Sequence, residues 1–414
     1  MPEQQHILSG YKVLDMTQFI AGPTLTRLLA QTGAEVIKVE QTPYGDPTRV
    51  APIYKDGHST YFSQHNRGKK SLCVNAKDPE GNKIIKELIR HVDILAENFT
   101  PGVMAKLGLD YDHVREINPR IIMCSISTFG QSGPLAFKPG FDPIGGCYAG
   151  IVSMVGEPDG PPYPLRTAMG DVMTAVHAYG AIGYALLHRE RTGRGQFLEV
   201  TLLDSYFHCH EESVVLASSS HGEIKPRRAG LHHETHCPVG IFKGREHYIF
   251  IIAITLEQWK ALCRAMGKPE LGEDPRFKTE PGRVAHKQLI IDMIQEWLAS
   301  MPSDEAAIAA MEANHVPVAP VLSVEEAIDH PHLRQRGTVR TISDPLLGEY
   351  QVPGFPFRFS DFPNELTLET PTLGQHNAEI LQSYLGYTPD RIAELERAGV
   401  LCRYRQKQDS YAQR

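Results

Sequence analysis

The stretch YKVLDMTQFIAGPTLTRLLAQTGAEVIKVE, residues 11–40, reads as strand, helix, strand. YKVLDMT and AEVIKVE are short apolar runs of strand length. GPTLTRLLAQTG between them has Pro23 near its first turn and Gly33 at its end, the usual punctuation of a helix. Elements in this order close as a parallel βαβ unit. The alternation repeats: KSLCVNA, the helix PEGNKIIKELIRHV, the strand DILAENF, then GVMAKLG, YDHVREINP and the strand RIIMCSIS. The pattern predicts an α/β fold with a Rossmann-like, doubly wound parallel sheet.

That first unit carries no dinucleotide fingerprint. Glu40 ends the second strand, where an acid can bind a ribose. The turn TQFIAGP, however, holds one glycine where G-x-G-x-x-G uses three to bring a pyrophosphate onto the helix N-terminus. Neither a G-x-S-x-G elbow nor a Walker loop occurs anywhere in the chain.

Beyond the strand-helix alternation, FGQSGPLAFKPGFDPIGG (129–146) is rich in Gly and Pro and reads as loop. TAMGDVMTAVHAYGAIGYALLHRERTGRGQ (167–196) follows, with Asp171 just ahead of Val172, Ala175, Val176, Tyr179, Ile182 and Leu186 at helical spacing. Asp is a favoured N-cap, so the plainest reading of Asp171 is a helix cap. Periodicity breaks around SSSHGEIKPRRAGLHH (218–233). HYIFIIAI, TLEQWKALCRAMG and the helix KQLIIDMIQEWLASM then suit a smaller α+β unit. The expected division is a large domain over 1–225, completed by a C-terminal return over 331–414, and a small domain over 226–330. Strand and turn signals in GEYQVPGFPFRFS and a last helix, TPDRIAELERAG, belong to that return.

The 414-residue chain is 41% hydrophobic and 22% charged, with a net charge of −7. That charge argues against a general nucleic-acid partner but leaves room for a local basic pocket. MPEQQHILSGYKVLD has no basic segment followed by an apolar core, and no apolar run is long enough to cross a bilayer. The seven scattered cysteines contain no C-x-x-C, so a cytoplasmic chain with reduced thiols and no membrane association is expected. HCHEE (208–212) and HHETHC (232–237) offer metal-competent side chains but neither H-E-x-x-H nor zinc-finger spacing. They read as solvated surface, and no metal is expected. Lys69, Lys70, Lys77 and Lys106 lie near strand ends, a plausible wall for a phosphorylated ligand.

Several pieces form an ordered set: AGP (21–23), GAEVIKVE (33–40), GDPTR (45–49), ENFTPG (97–102) and TGRGQ (192–196). Together they resemble the class III CoA-transferases, the family of formyl-CoA transferase, carnitine CoA-transferase and α-methylacyl-CoA racemase. The likeness runs from LSGYKVLDMTQFIAGP to LGYTPDRIAELERAGV. In the transferases the nucleophile is the Asp of a Gly-Asp pair that opens a helix, in a pattern like GDxxTGxH. The matching run is Gly170-Asp171-Val172-Met173-Thr174-Ala175-Val176-His177, which puts Asp171 on the nucleophile and departs at Ala175, where relatives often carry Gly.

The resemblance also implies CoA contacts. They fall on Ile20 and Ala21 before the GP pair, and on Gln41, where Arg is frequent. Others fall on Val74, Asn75, Ala76 and Lys77, on Asn98, Phe99 and Thr100, and on Lys106. Phe141-Asp142 stands where formyl-CoA transferase has Tyr-Glu, which makes Phe141 a further contact and Asp142 a second acid in the site. The racemase has His-Asp there; Phe141 cannot titrate, so racemisation would lose one of its two acid/base groups. The Gly-rich loop that closes over formate or oxalate has no counterpart near residues 230–250. Bulkier acids, dicarboxylates such as succinate among them, are expected instead.

The chemistry this implies is exchange of one thioester for another through an aspartyl anhydride and an aspartyl-CoA thioester. It needs an acyl-CoA and a small carboxylic acid as substrates, no permanently bound cofactor, no ATP and no metal. A helix N-terminus would help keep Asp171 ionised. Family members are interlocked homodimers, and the same is expected here. The rival readings are an acyl-CoA racemase or epimerase of the same fold, and a non-catalytic CoA- or nucleotide-binding protein.

Overall fold

The computed structural model describes residues 5–50, 54–55, 58–344, 347–364, 366 and 368–404; residues 1–4 of the N-terminal stretch read above lie outside them. Six strands form the main sheet: β1 Lys12–Asp15, β2 Glu35–Glu40, β3 Lys69–Cys73, β4 Ile94–Glu97, β5 Ile122–Ser127 and β6 Gln196–Thr201. Their order is β3-β2-β1-β4-β5-β6, and every neighbouring pair is parallel.

The inner strands are apolar on both faces because both faces are covered. Alternate residues feed two separate cores. Leu14, Ile37, Leu72 and Leu95 pack under the Pro79–Ile89 helix and the C-terminal helices Asn377–Leu385 and Pro389–Arg397. Val13, Val36, Ile94 and Ile122 pack under Ala21–Gln31 and Met169–Thr192. The chain winds outward from β1 to β3 and then returns to β4, so the loops after β1 and β4 part company. A crevice opens at such a reversal, outside the carboxyl ends of the strands.

By its contacts the chain divides into two compact units. One comprises 1–151, 165–211 and 334–414 and contains this sheet; the other comprises 152–164 and 212–333. Within the second, Val239–Lys243, Tyr248–Ile252 and Val318–Pro320 form an antiparallel sheet. Helices Leu256–Ala265 and Lys287–Ser300 bury Trp259, Ile290 and Ile294 against Phe242, Ile249 and Ile251. A capping box of Thr255 and Gln258 sets the start of the first of these helices.

Two local expectations are corrected. Residues 142–146, the end of the Gly- and Pro-rich stretch read as loop, open the helix Asp142–Tyr148. Pro143 suits its first turn, and Gly145 leaves the room that lets it lie against Leu202. On Met169–Thr192 the buried stripe is Thr174, Ala175, Ala178, Ile182 and Ala185, whereas Val172 and Val176 are 44% and 39% exposed. Small residues face inward because this helix packs closely on Ala21–Gln31. Among the described residues no helix is long and apolar enough to cross a membrane. All seven cysteines lie among the described residues, and none is in a disulfide.

Candidate active site

Two cavities open where the chain leaves the carboxyl ends of the strands. The smaller, about 210 Å³, is walled by Ile20 and Ala21 after β1, Asn98–Thr100 after β4, Phe141, and Asp171. The larger, about 790 Å³, is walled by Gln41, Val74, Ala76, Lys77 and Lys106. Gln18 and Phe99 line both, so the two cavities adjoin at the reversal between β1 and β4. Asn75 lines neither; its Oδ1 accepts the Lys77 N–H at 3.1 Å and the Gln41 side-chain amide at 3.4 Å on the rim.

Asp171 is not the helix cap. The helix begins at Met169, Ala168 is its N-cap, and no side chain of the cap residue bonds the first turn. The carboxylate that does so is Asp142, 29 residues upstream: its Oδ2 accepts the Asp171 N–H at 2.9 Å. Its Oδ1 accepts the Tyr206 hydroxyl at 2.5 Å, and Asp142 is only 7% exposed. Gly170 makes this packing possible, since a Cβ there would stand 2.2 Å from the Tyr206 ring. The second acid therefore lies behind the cavity wall, braced by Tyr206, while the Asp171 side chain lines the cavity.

Burial, and then the Asp142 charge, push the Asp171 carboxyl up to about 7. Burial and the Asp142 charge thus work against the ionisation that a helix N-terminus favours. The amide that would have favoured its charge serves Asp142 instead. Ala175 bears on none of this: its methyl is buried in the helix-packing core and does not line the cavity.

The floor is held by buried ion pairs. Lys69 Nζ lies 2.9 Å from Asp15 Oδ2, and Lys38 Nζ lies 2.9 Å from Asp46 Oδ2 and donates to the Thr17 carbonyl at 2.8 Å. Arg49 grips Glu40 with two bonds of 2.7 Å. Glu40 is therefore taken, and not free for a ribose. Lys69 is likewise no part of a phosphate wall, and Lys70 pairs with Glu35 and Glu379 away from both cavities. Lys77 and Lys106 alone of the four lysines line the larger cavity.

Above this floor, Asn98 clamps the β1 loop. Its Oδ1 accepts the Gln18 N–H and its Nδ2 donates to the Gln18 carbonyl, each at 2.8 Å. Phe19 is held at φ 64°, a strained backbone for a bulky residue, and its ring meets Phe141 edge-on at 5.6 Å. Sequence reasoning missed Gln18, Phe19 and Lys138 as cavity residues. The first two flank positions that were picked. Lys138 is a lone cation in a stretch read as loop and gave no signal; its ammonium donates to the Tyr148 hydroxyl at 2.5 Å.

A family profile described as CoA-transferase family III matches residues 8–377, and the chain belongs to that family. It is a CoA-transferase, whose substrates are CoA thioesters and carboxylic acids. Among its relatives, succinyl-CoA:glutarate CoA-transferase of Homo sapiens is 36% identical over 395 residues, covering 95% of this chain and 90% of that one. Formyl-CoA:oxalate CoA-transferase of Streptomyces coelicolor is 34% identical, covering 95% and 99%. The crystal structure of a CaiB/BaiF family protein from Brucella suis superposes with a TM-score of 0.81 at 31% identity, covering 92% of this chain and 100% of that one. The parallel sheet flanked by helices is common to both.

Proposed function

We propose that this enzyme moves CoA from a dicarboxylic acyl-CoA, succinyl-CoA the favoured donor, to a second dicarboxylic acid, with Asp171 as nucleophile. The observation that carries the reading is the placement of Asp171 on a cavity that adjoins, at Gln18 and Phe99, one lined by Lys77 and Lys106. The phosphates of CoA would lie by the two lysines and the thioester beside Asp171. Relatives named for succinyl-CoA with glutarate, L-malate and D-citramalate support the substrate class.

Asp171 Oδ attacks the thioester carbonyl, the C–S bond breaks, and CoA leaves as thiolate from a mixed anhydride. The thiolate then attacks the Asp171 carbonyl carbon, which releases the first acid as carboxylate and leaves aspartyl-CoA. The acceptor carboxylate attacks that thioester, and the expelled thiolate takes the acceptor's acyl group, regenerating the Asp171 carboxylate. No proton is consumed. A carboxylate with a pKa near 7 is more basic than an ordinary one yet substantially ionised at neutral pH, a suitable balance for a nucleophile.

The functional unit is read as an interlocked homodimer. Supporting this, Val172, Val176, Tyr184 and Leu187 leave an apolar face exposed on Met169–Thr192, and exposed apolar faces mark association surfaces. A panel of acyl-CoA donors and acids, read by mass spectrometry for new thioesters, tests the function. New succinyl-, glutaryl- or malyl-CoA that depends on the acceptor supports it. Loss of the α-deuterium label from a branched acyl-CoA without any acceptor would instead point to the racemase reading, in spite of Phe141.

A further inference from the structure

The two His-bearing segments that show no metal spacing in sequence meet in the fold. Within the second unit, Glu212 precedes the helix Ser213–Ser219, and His233 and His236 lie on the segment leading to Val239–Lys243. One ligand atom of each lies within 4.8 Å of the other two. The Glu212 carboxylate faces both rings, with Oε1 at 3.8 Å from His233 Nε2 and Oε2 at 3.8 Å from His236 Nε2. The ring centroids are 4.7 Å apart.

We propose that Glu212, His233 and His236 form a binding site for a divalent transition-metal ion, zinc being the ion that two imidazoles and a carboxylate suit best. Zinc bonds to N and O are about 2.0–2.1 Å, which puts ligand atoms roughly 3.3–3.5 Å apart in a tetrahedron. The two Glu212–histidine distances of 3.8 Å close by a few tenths of an ångström, and the set as a whole, which lies within 4.8 Å, by about 1.5 Å at most. Glu280 supplies the outer support: its Oε1 lies 2.5 Å from His236 Nδ1, so that nitrogen carries the proton and Nε2 keeps its lone pair for the ion. At His233 the Thr235 N–H donates to Nδ1 at 3.2 Å, so binding an ion through Nε2 takes a change of tautomer, in which Thr235 Oγ1, 3.3 Å away, accepts the Nδ1 proton.

The ligand-bearing segment is held in place before any ion arrives. Lys287 Nζ donates to the His233 carbonyl at 2.6 Å, and the buried Arg283 guanidinium donates to the carbonyls of Cys237 and Phe277 at 2.8 and 3.1 Å. Glu212 and Glu280 are balanced by Lys287 and Arg283, so the attraction for a cation rests on the ligand atoms themselves. Three protein ligands leave further coordination positions for water or a ligand's oxygen.

Full-length protein, stripped with chelator and dialysed, is titrated with Zn²⁺ by calorimetry and with Co²⁺ by visible absorption. One ion per chain at micromolar affinity is expected, with the intense Co²⁺ bands of a four- or five-coordinate nitrogen–oxygen site. H236A and E212Q should each weaken binding more than tenfold, and E280Q by about ten- to a hundredfold. H247A, whose imidazole pairs with Asp304 and Glu326 on the same unit, should change nothing. Binding weaker than millimolar in the unaltered protein, or retention of full affinity in H236A and E212Q, overturns the assignment. Should a ligand variant fail to fold, the Co²⁺ spectrum of the unaltered protein decides: weak bands of an octahedral, water-rich ion count against it.

Discussion

Asp171 could be singled out in the sequence because Gly170-Asp171 matches the pattern of the family's nucleophile, but its acidity could not. The groups that set it, Asp142 and the surfaces that bury it, come from a segment 29 residues upstream and from the fold around it. The same was true of Asp142, whose pattern position suggested a second acid and whose hydrogen bonds make it a brace. Turnover should rise with pH through about 7 as Asp171 ionises. D142N keeps an acceptor for the Asp171 amide while removing the like charge, so the rising limb of kcat/KM should move down by up to about one pH unit. A limb that stays in place assigns the titration to another group.

D171N should lower kcat by about 10³-fold or more, since no neighbouring carboxylate lines the same cavity wall. It should also stabilise the fold. A carboxyl whose folded pKa lies above its unfolded value costs nothing while both forms are protonated. Its cost grows from about pH 4 and levels off above about 7. Urea melts should therefore show D171N gaining about 1–3 kcal/mol at pH 8, after allowance for partial exposure, and almost nothing at pH 4.

At the scale of the element, the strands were readable because a sheet covered on both faces needs unbroken apolar runs, and Val13–Leu14, Val36–Ile37 and Ile94–Leu95 supply them. The helix Asp142–Tyr148 was not readable. Its glycines lower helical propensity, and packing against Leu202 outweighs that preference. Val172 and Val176 share a helical period with the core yet face outward, because the close approach of Ala21–Gln31 selects alanine instead. Two substitutions probe how these elements set the site. G170A puts a methyl into the Tyr206 ring and should cost about 1–3 kcal/mol in a urea melt, with activity falling as the Asp142 brace shifts. N98A removes both bonds to Gln18 and should raise KM for the acyl-CoA several-fold, with a stability loss of about 1–2 kcal/mol. A KM that does not move leaves the clamp with a purely structural role.

At the scale of the molecule, charge is divided between a buried floor and an open rim. Lys69 looked from sequence like a phosphate donor, because position near a strand end does not say whether a partner such as Asp15 waits beneath. Burial is the largest single influence and pushes Asp15, Glu40 and Asp46 up, but Lys69, Arg49 and Lys38 together with the hydrogen bonds around them outweigh it and hold all three below the usual carboxylate range. Their stabilisation is fully present above about pH 4–5 and is lost as the pH falls through and below that range. The urea midpoint should accordingly drop steeply between about pH 5 and 3; a flat midpoint there contradicts the pairing. On the rim, K77A and K106A should each raise KM for succinyl-CoA about three- to tenfold with kcat unchanged, and leave the truncated succinyl-pantetheine unaffected.

The most direct measurement is peptide mass spectrometry of protein mixed with succinyl-CoA and quenched with hydroxylamine or borohydride. The peptide containing Asp171 should carry a hydroxamate after the first reagent and the reduced alcohol after the second, in amounts that scale with active enzyme and vanish in D171N. An unmodified Asp171 in protein that is turning over, or full transfer activity in D171N, contradicts covalent catalysis by this residue.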